Sequence, residues 1–348
     1  MTALEHSSAN GGALVRPTMG FMLPHEQFPI PRLVEVGMAA ERAGFEVIAV
    51  SDHLQPWQSN EGHSGLVAVT LTALGQRTER VWMGTTVTCP TFRYNPAVVA
   101  QTFASLSLLY PGRVFLGLGS GEALNEDAAT GKWPGWTERS ERLLEAAAII
   151  RALWTGEQIS HQGPYYTVNA RLYDPPAAPI PLLLGGNGPK ALRRAGTYGD
   201  GLITSSGTWR RHRTEFQNAA RAAGKDPARM PVLAEQWAIV GGVEDARARA
   251  GAVAWRFLPK ALSTYVNVRD PAEIQRRAAV EIALEEVYRD WIVSTDPDAH
   301  VKTINELFDS GVTIVNIHGA QPDLLPVIEF YGRQVLPRLR PRRGEADR

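Results

Sequence analysis

Cysteine is almost missing from this chain: Cys89 is the only one among 348 residues. That excludes an internal disulfide framework and suits a reducing compartment. A surplus of either charge is missing as well, because 36 basic side chains face 36 acidic ones. A nucleic-acid binder needs a basic excess to neutralise phosphates. No run approaches the roughly 18 to 20 apolar residues that span a bilayer, and the first residues hold no basic stretch leading into an apolar one. The expectation is a cytoplasmic protein with neither a membrane nor a polynucleotide partner. HExxH, clustered Cys/His spacing and GxSxG are also absent, which argues against a metal site and against a nucleophile-elbow hydrolase.

What is present is 44% hydrophobic and 21% charged, the balance of a globular protein with a large core. Length allows one or two domains, and α/β barrels reach this size as one. The repeating unit is a short β-branched run, a Gly or polar turn, and then a helical period, which indicates parallel βαβ units. Strands are expected at Gly20–Leu23, Phe45–Val50, Val81–Thr88, Arg113–Leu118, Leu182–Leu184, Gly201–Ser205, Pro231–Val240 and Val312–Ile317. Eight such strands make a (β/α)8 TIM barrel. Helix signals agree: Pro31 to Arg42 stops at Gly44, Asn95 and Pro96 read as N-cap and first position, and an amphipathic stretch from Thr137 to Trp154 closes at Gly156. A hairpin insertion is expected at Gln158 to Pro181, after the fourth helix, and a helical lid at about 246–291, between strands seven and eight. The expected domain is residues 15–340, with tails at 1–14 and 341–348.

Catalytic groups in such a barrel come from the carboxyl ends of its strands. Glu26 follows the first strand, Asp52 and His53 end the second, Thr86 to Cys89 end the third, and Glu122 follows the fourth; Trp57 lies just beyond His53. Each also has a plain structural reading: Asp-His as a capping pair, Trp57 as packing, and the glycines before Glu122 as loop geometry. The turn Gly185 to Gly188 opens a helix bearing Lys190, Arg193 and Arg194. Its amides and helix N-terminus suit a cofactor phosphate, and a tight turn with a solvated basic face accounts for it equally well. His25, His63 and His318 fall toward the mouth, while His6, His161, His212 and His300 are expected on the surface.

Residues 51–57, 88–96 and 117–126 together resemble the F420-dependent glucose-6-phosphate dehydrogenase family, a branch of the luciferase-like superfamily, and weaker similarity runs from about Gly20 to Arg340. The resemblance implies a homodimeric TIM barrel with the deazaflavin coenzyme F420 at its carboxyl mouth. It carries cofactor positions onto Asp52, Thr86, Val87, Cys89, Ser120, Gly121, Asn125, Asn187, Gly188, Lys190 and Ala191, with Cys89 where the family has threonine. Thr86–Val87 matches a non-proline cis peptide. By the same resemblance His53 takes the proton of a substrate hydroxyl while hydride passes from its carbon to C5 of F420. Glu122 supplies a proton to the ring nitrogen N1, Trp57 steadies the intermediate, and Glu26 is an alternative base.

The family's phosphate clamp of two lysines and an arginine aligns with Thr208, Tyr265 and Asp290, which with Ser205 form the substrate side. Neutral and acidic groups there imply poor use of glucose 6-phosphate. Residues 55–64, 85–90 and 273–278 are closer to the F420-dependent hydroxymycolic acid dehydrogenase branch, which oxidises a secondary alcohol. Those relatives carry export signals and none is expected here, so a soluble alcohol, an unphosphorylated sugar or a lipid reached from the cytoplasm is the expected substrate. The competing readings are a sugar-phosphate dehydrogenase, an FMN-dependent luciferase-like monooxygenase and a non-catalytic F420 carrier. Coenzyme preference and turnover separate them.

Overall fold

The computed structural model describes residues 14–60 and 62–339. Its strands are β1 (Thr18–Leu23), β2 (Val47–Val50), β3 (Trp82–Thr85), β4 (Val114–Leu118), β5 (Ile159–Gln162), β6 (Thr167–Ala170), β7 (Leu182–Gly185), β8 (Gly201–Ser205), β9 (Val232–Ile239), β10 (Ile292–Val293) and β11 (Ile314–Gly319). All but β5, β6 and β10 pair side by side in the order β1-β2-β3-β4-β7-β8-β9-β11, and β11 returns to β1, so the parallel sheet closes into an eight-stranded barrel. Helices on the outside cover one face and side chains fill the other. Strands buried on both faces carry continuous apolar runs instead of alternation, which is why they could be read from sequence.

Alternate residues point inward. Met22, Val47, Ala49, Trp82, Phe115, Leu183, Ile203, Leu233 and Ile314 form the interior cluster, together with Leu14. Residues 1–13 and 340–348, where most of the expected tails fall, lie outside the described residues. Local signals act as expected. The helix Ile30–Ala43 ends on Gly44 at φ 106°, and Asn95 accepts the Ala97 N–H to cap Pro96–Leu109. The helix Trp136–Leu153 is followed by Gly156 at φ 75°.

Two boundaries and one additional strand differ in ways that shape the site. The third strand stops at Thr85 instead of Thr88: the chain leaves the ladder at a cis Thr86–Val87 peptide, and Thr88 rejoins beside Leu118. The last strand continues to Gly319 and sets His318 opposite Trp237. The short strand β10, which the sequence did not signal, extends the wall by pairing Ile292 with Ala238.

The hairpin insertion is the antiparallel pair β5 and β6. The segment between β9 and β10 contains the helices Ala246–Ala254, Pro271–Glu281 and Leu284–Val287, and it packs an apolar cluster of its own around Trp255, Phe257, Tyr265 and Ile274. Trp57 and Leu124, from barrel loops, complete that cluster. The Ala123 N–H donates to Val266 O and Trp133 Nε1 donates to Asn267 Oδ1, fastening this segment to the loop after β4.

His300, expected at the surface, is fully buried, with Nδ1 against Tyr331 Oη and Nε2 against Ser294 O. Its polar atoms are satisfied from the preceding loop and the C-terminal helix, contacts that local polarity does not reveal.

The start of β3 is held by a buried carboxylate. Glu41 accepts the backbone N–H groups of Glu79, Arg80 and Val81. Burial raises its pKa, but these three donors and Arg80 outweigh it, so Glu41 titrates below the ordinary 4.5. A lowered folded-state value adds stability that is complete above 4.5 and disappears as pH falls through the folded-state pKa. Glu41→Gln is expected to cost about 2 kcal/mol in urea unfolding at pH 7, and the deficit should shrink toward zero in acid.

Candidate active site

The carboxyl ends of β1 and β2 bring Glu26 and His53 together. Glu26 is 8% exposed, its Oε1 lies 3.0 Å from His53 Nε2, and Ser51 Oγ donates to Oε2. Burial alone would raise the Glu26 pKa; the His53 charge and the Ser51 hydroxyl outweigh it and hold the group below the usual carboxylate value.

Asn125, nearly inaccessible, decides how the imidazole is protonated. Its Oδ1 accepts the N–H groups of Leu54 and Gln55, at 2.8 and 3.2 Å. The amide nitrogen Nδ2 is therefore the atom 3.0 Å from His53 Nδ1 and 3.2 Å from Glu122 Oε2. An amide NH2 can only donate, so His53 Nδ1 carries the lone pair and Nε2 carries the proton given to Glu26. Glu26, His53, Asn125 and Glu122 thus form one hydrogen-bonded chain. Trp57 flanks it, 6.2 Å from the imidazole and stacked on Phe257 at 4.8 Å.

Beneath this chain lies a buried charge network that the sequence did not disclose. Asp52 accepts from Arg93 Nη2 at 3.0 Å, Tyr94 Oη at 3.2 Å and Thr88 Oγ1 at 2.8 Å, and its side chain is fully enclosed. Arg93 also gives its backbone N–H to Glu126 Oε2 at 2.8 Å. Burial pushes Glu126 up to about 7, with Arg93 opposing the shift. Cys89, buried beside these carboxylates, has its thiol pKa raised by burial first and by Glu122 and Glu126 next. The pairing of Arg93 with a strand-end aspartate 41 positions away has no periodic signature.

Next along the chain from that network, Val87 lies between two glycines. A Cβ on Gly119 would come within 2.4 Å of Val87 Cγ2, and one on Gly185 within 2.9 Å of Cγ1. Ser120 is half-buried and Gly121 takes φ 83°. Asn187 Oδ1 accepts from Thr204 Oγ1 and the Ser205 N–H, fixing the turn before the helix Pro189–Tyr198. Ala191 packs under that turn against Gly186, and Gly188 faces open space. Lys190 and Arg194 both lie 5.6 Å from the Trp136 ring. Arg194 forms no ion pair among the described residues; burial pulls it down to about 10, and the Ser140 hydroxyl accepts from it.

The substrate-side positions divide. Ser205 Oγ caps its helix through the Thr208 N–H, and Asp290 Oδ2 stands beside Arg211 next to Gly207. Tyr265 is wholly enclosed in the cluster of residues 246–291, where its hydroxyl donates to Glu281. His25 is structural: Nδ1 meets Ser51 O at 2.5 Å and Nε2 meets Thr70 Oγ1 at 2.7 Å. His318 and Glu235 form a second histidine–carboxylate pair at the mouth. The signal for Glu235 was available in its place at inward parity with Leu233 and Trp237, on a strand whose only other polar residue is Gln236.

A family model described as luciferase-like monooxygenase matches residues 10–313. The F420-dependent hydroxymycolic acid dehydrogenase of Mycobacterium tuberculosis is 46% identical over 325 residues, spanning 92% of this chain and 88% of that protein. The F420-dependent glucose-6-phosphate dehydrogenase of Nakamurella multipartita is 39% identical over 327 residues, spanning 92% and 96%. Among solved structures, an F420-dependent secondary alcohol dehydrogenase in complex with an F420–acetone adduct superposes with a TM-score of 0.87 at 31% identity, covering 94% of this chain and 100% of that one. With the closed parallel barrel and the residues at its mouth, these similarities establish that the chain belongs to the luciferase-like family, in the branch that holds the F420-dependent dehydrogenases.

Proposed function

We propose that this protein is an F420-dependent dehydrogenase that oxidises a secondary alcohol or unphosphorylated sugar, and that His53 is the base. The observation that carries this reading is the fixed hydrogen-bond chain from Glu26 through His53 and Asn125 to Glu122. The residues suit the coenzyme: Val87 between Gly119 and Gly185 offers a floor for a flat ring, and the Asn187–Gly188 turn, Lys190, Ala191 and Arg194, which has no carboxylate partner among the described residues, suit an anionic tail. F420, when bound, supplies the hydride acceptor.

The protein's part is proton handling and positioning. A carbinol releases hydride readily only as its oxygen loses the proton. The one lone pair on the His53 ring is at Nδ1, so a hydroxyl that replaces the Asn125 amide hydrogen there hands its proton to Nδ1. The imidazolium then keeps its Nε2–H on Glu26, an arrangement in which a buried carboxylate orients and stabilises the base. Glu26 is thus the partner of the base. Glu122, at the other end of the chain, is the second proton carrier, and Trp57 closes the side toward residues 246–291. Asp52, enclosed by Arg93, Tyr94 and Thr88, acts by holding the ends of β2 and β3 in register with the site.

The substrate assignment rests on positions 208 and 290, which hold a threonine and an aspartate where the resembling family's phosphate clamp has cations. We assign residues 15–340 to one barrel domain with 246–291 as its lid, and expect a cytoplasmic homodimer on the family resemblance. No helix among the described residues is long and apolar enough to cross a membrane.

Three outcomes test this reading. His53→Ala is expected to lower alcohol-dependent bleaching of F420 by about 10²-fold or more, while fluorescence titration gives an F420 affinity within a few-fold of wild type and a clear preference over FMN. Loss of binding, or a preference for FMN, would overturn the assignment. Gly119→Ala should weaken F420 binding in the same titration by pushing Val87 off its seat, whereas Gly242→Ala, whose new methyl meets nothing within 4 Å, should leave it unchanged. Exchanging Thr208→Lys together with Asp290→Arg should raise kcat/KM for glucose 6-phosphate relative to glucose, and an unchanged ratio contradicts the role given to these positions.

A further inference from the structure

The inward face of β11 carries Ile314, Asn316 and His318 in succession, each two residues further toward the mouth. The lowest packs in the barrel core, and the two above it are polar and almost completely buried. His318 is 2% exposed and Asn316 1%. His318 Nδ1 lies 2.6 Å from Glu235 Oε1, and its Nε2 is buried with no hydrogen-bond partner. Both side-chain amide atoms of Asn316 are likewise buried and unpartnered. Buried polar atoms are paired in nine cases out of ten or more. Three orphans in one column of one strand, at the catalytic end of a barrel, are a concentrated departure from that rule.

The orientation of the imidazole is fixed. Its ring stacks on Trp237 at 3.5 Å and 18°, Trp255 meets it edge-on at 4.7 Å, and Trp291 backs Trp237 from the other face at 5.2 Å. Such packing denies the ring another rotamer in which Nε2 would find a protein partner. A carboxylate can only accept, so Nδ1 carries the proton and the neutral ring holds a lone pair at Nε2. That atom calls for a donor. With the Glu235 carboxylate on one side, an anionic ligand is disfavoured and a neutral hydroxyl is suited.

We infer that His318, aimed by Glu235 and supported by Asn316, is a specificity-determining residue that receives a second hydroxyl of the substrate, making the preferred substrate a neutral diol or polyol. This rests on the dehydrogenase reading and deepens it. The first hydroxyl goes to His53 after β2 and the second to His318 on β11, the two strands that flank β1, so the substrate is held at two points on one side of the mouth. An apolar alcohol would leave Nε2 and the Asn316 amide unpaired, and a site with buried polar groups rejects a ligand that cannot satisfy them.

The test uses the full-length protein with F420 and compares butan-2-ol with butane-2,3-diol and pentane-2,4-diol. In wild type, the better diol is expected to exceed butan-2-ol in kcat/KM by about tenfold or more, mainly through KM. His318→Phe, which keeps an aromatic stack and deletes Nε2, should bring that ratio close to one, and His318→Gln, which restores a polar atom, should recover part of it. If the Phe variant does not fold, Glu235→Gln, which leaves the ring in place and weakens the grip on Nδ1–H, must still lower the ratio. Bleaching of F420 by butan-2-ol with no preference for either diol, the outcome if ordered water alone fills the column, overturns the role of His318 while leaving the dehydrogenase intact. A preference that survives in His318→Phe does the same. Absence of bleaching by all three alcohols removes the dehydrogenase reading, and this inference falls with it.

Discussion

One side-chain amide constrains the whole site. Asn125 commits its oxygen to two backbone N–H groups, so its nitrogen must donate in two directions, to His53 and to Glu122. That single orientation places the His53 lone pair on Nδ1, sends the Nε2 proton to Glu26 and ties the loop after β4 to the loop after β2. Flipping the amide would set its oxygen against Glu122 and its hydrogens against the Leu54 and Gln55 donors. The geometry of His53, the proposed base, is therefore fixed by backbone already in place, and no substrate is needed to organise it.

The barrel tolerates charge at its mouth because each charge is shared. Two carboxylates, Asp52 and Glu126, draw on Arg93, and burial leaves Glu126 near 7 where Asp52 takes the better share of the guanidinium. Breaking such a network strands an uncompensated charge in a poorly solvated place, whereas the intact network contributes little net stability. Its value lies in position: Asp52 is the neighbour of His53, and Arg93 spans from it to the helix that begins beside Asn125. The cluster of residues 246–291 reaches the same point from outside, through Trp57 and Leu124. The loop that carries His53, the charge network and the insertion meet within a few residues of one strand end.

Most of the scaffold was legible because its signals are local. Buried parallel strands announce themselves as apolar runs, Gly44 and Gly156 stand where the backbone turns left-handed, and Asn95 with Pro96 is a cap that needs no tertiary help. Glu26, Asp52, His53 and Glu122 could be placed from their positions at strand ends. What stayed hidden depends on contacts distant in sequence. His300 looks like a surface residue until Tyr331 and Ser294 close over it, and Tyr265 sits at an aligned clamp position yet turns into its own cluster toward Glu281. Arg93 gave no sign of its pairing with Asp52. His318 was placed at the mouth, but its fixed orientation depends on Glu235 and three tryptophans that come from another strand and from the insertion.

The central claim is a statement about one proton, and it can be observed directly. Nitrogen-15 NMR of the histidine rings, with His53 identified by the loss of its signals in His53→Asn, reports which ring nitrogen is protonated when the imidazole is neutral. The account predicts the Nε2–H tautomer with an unprotonated, hydrogen-bonded Nδ1. A ring carrying its proton on Nδ1 would contradict it, because Asn125 would then face a donor with a donor and the path from substrate hydroxyl to His53 would have to be drawn again.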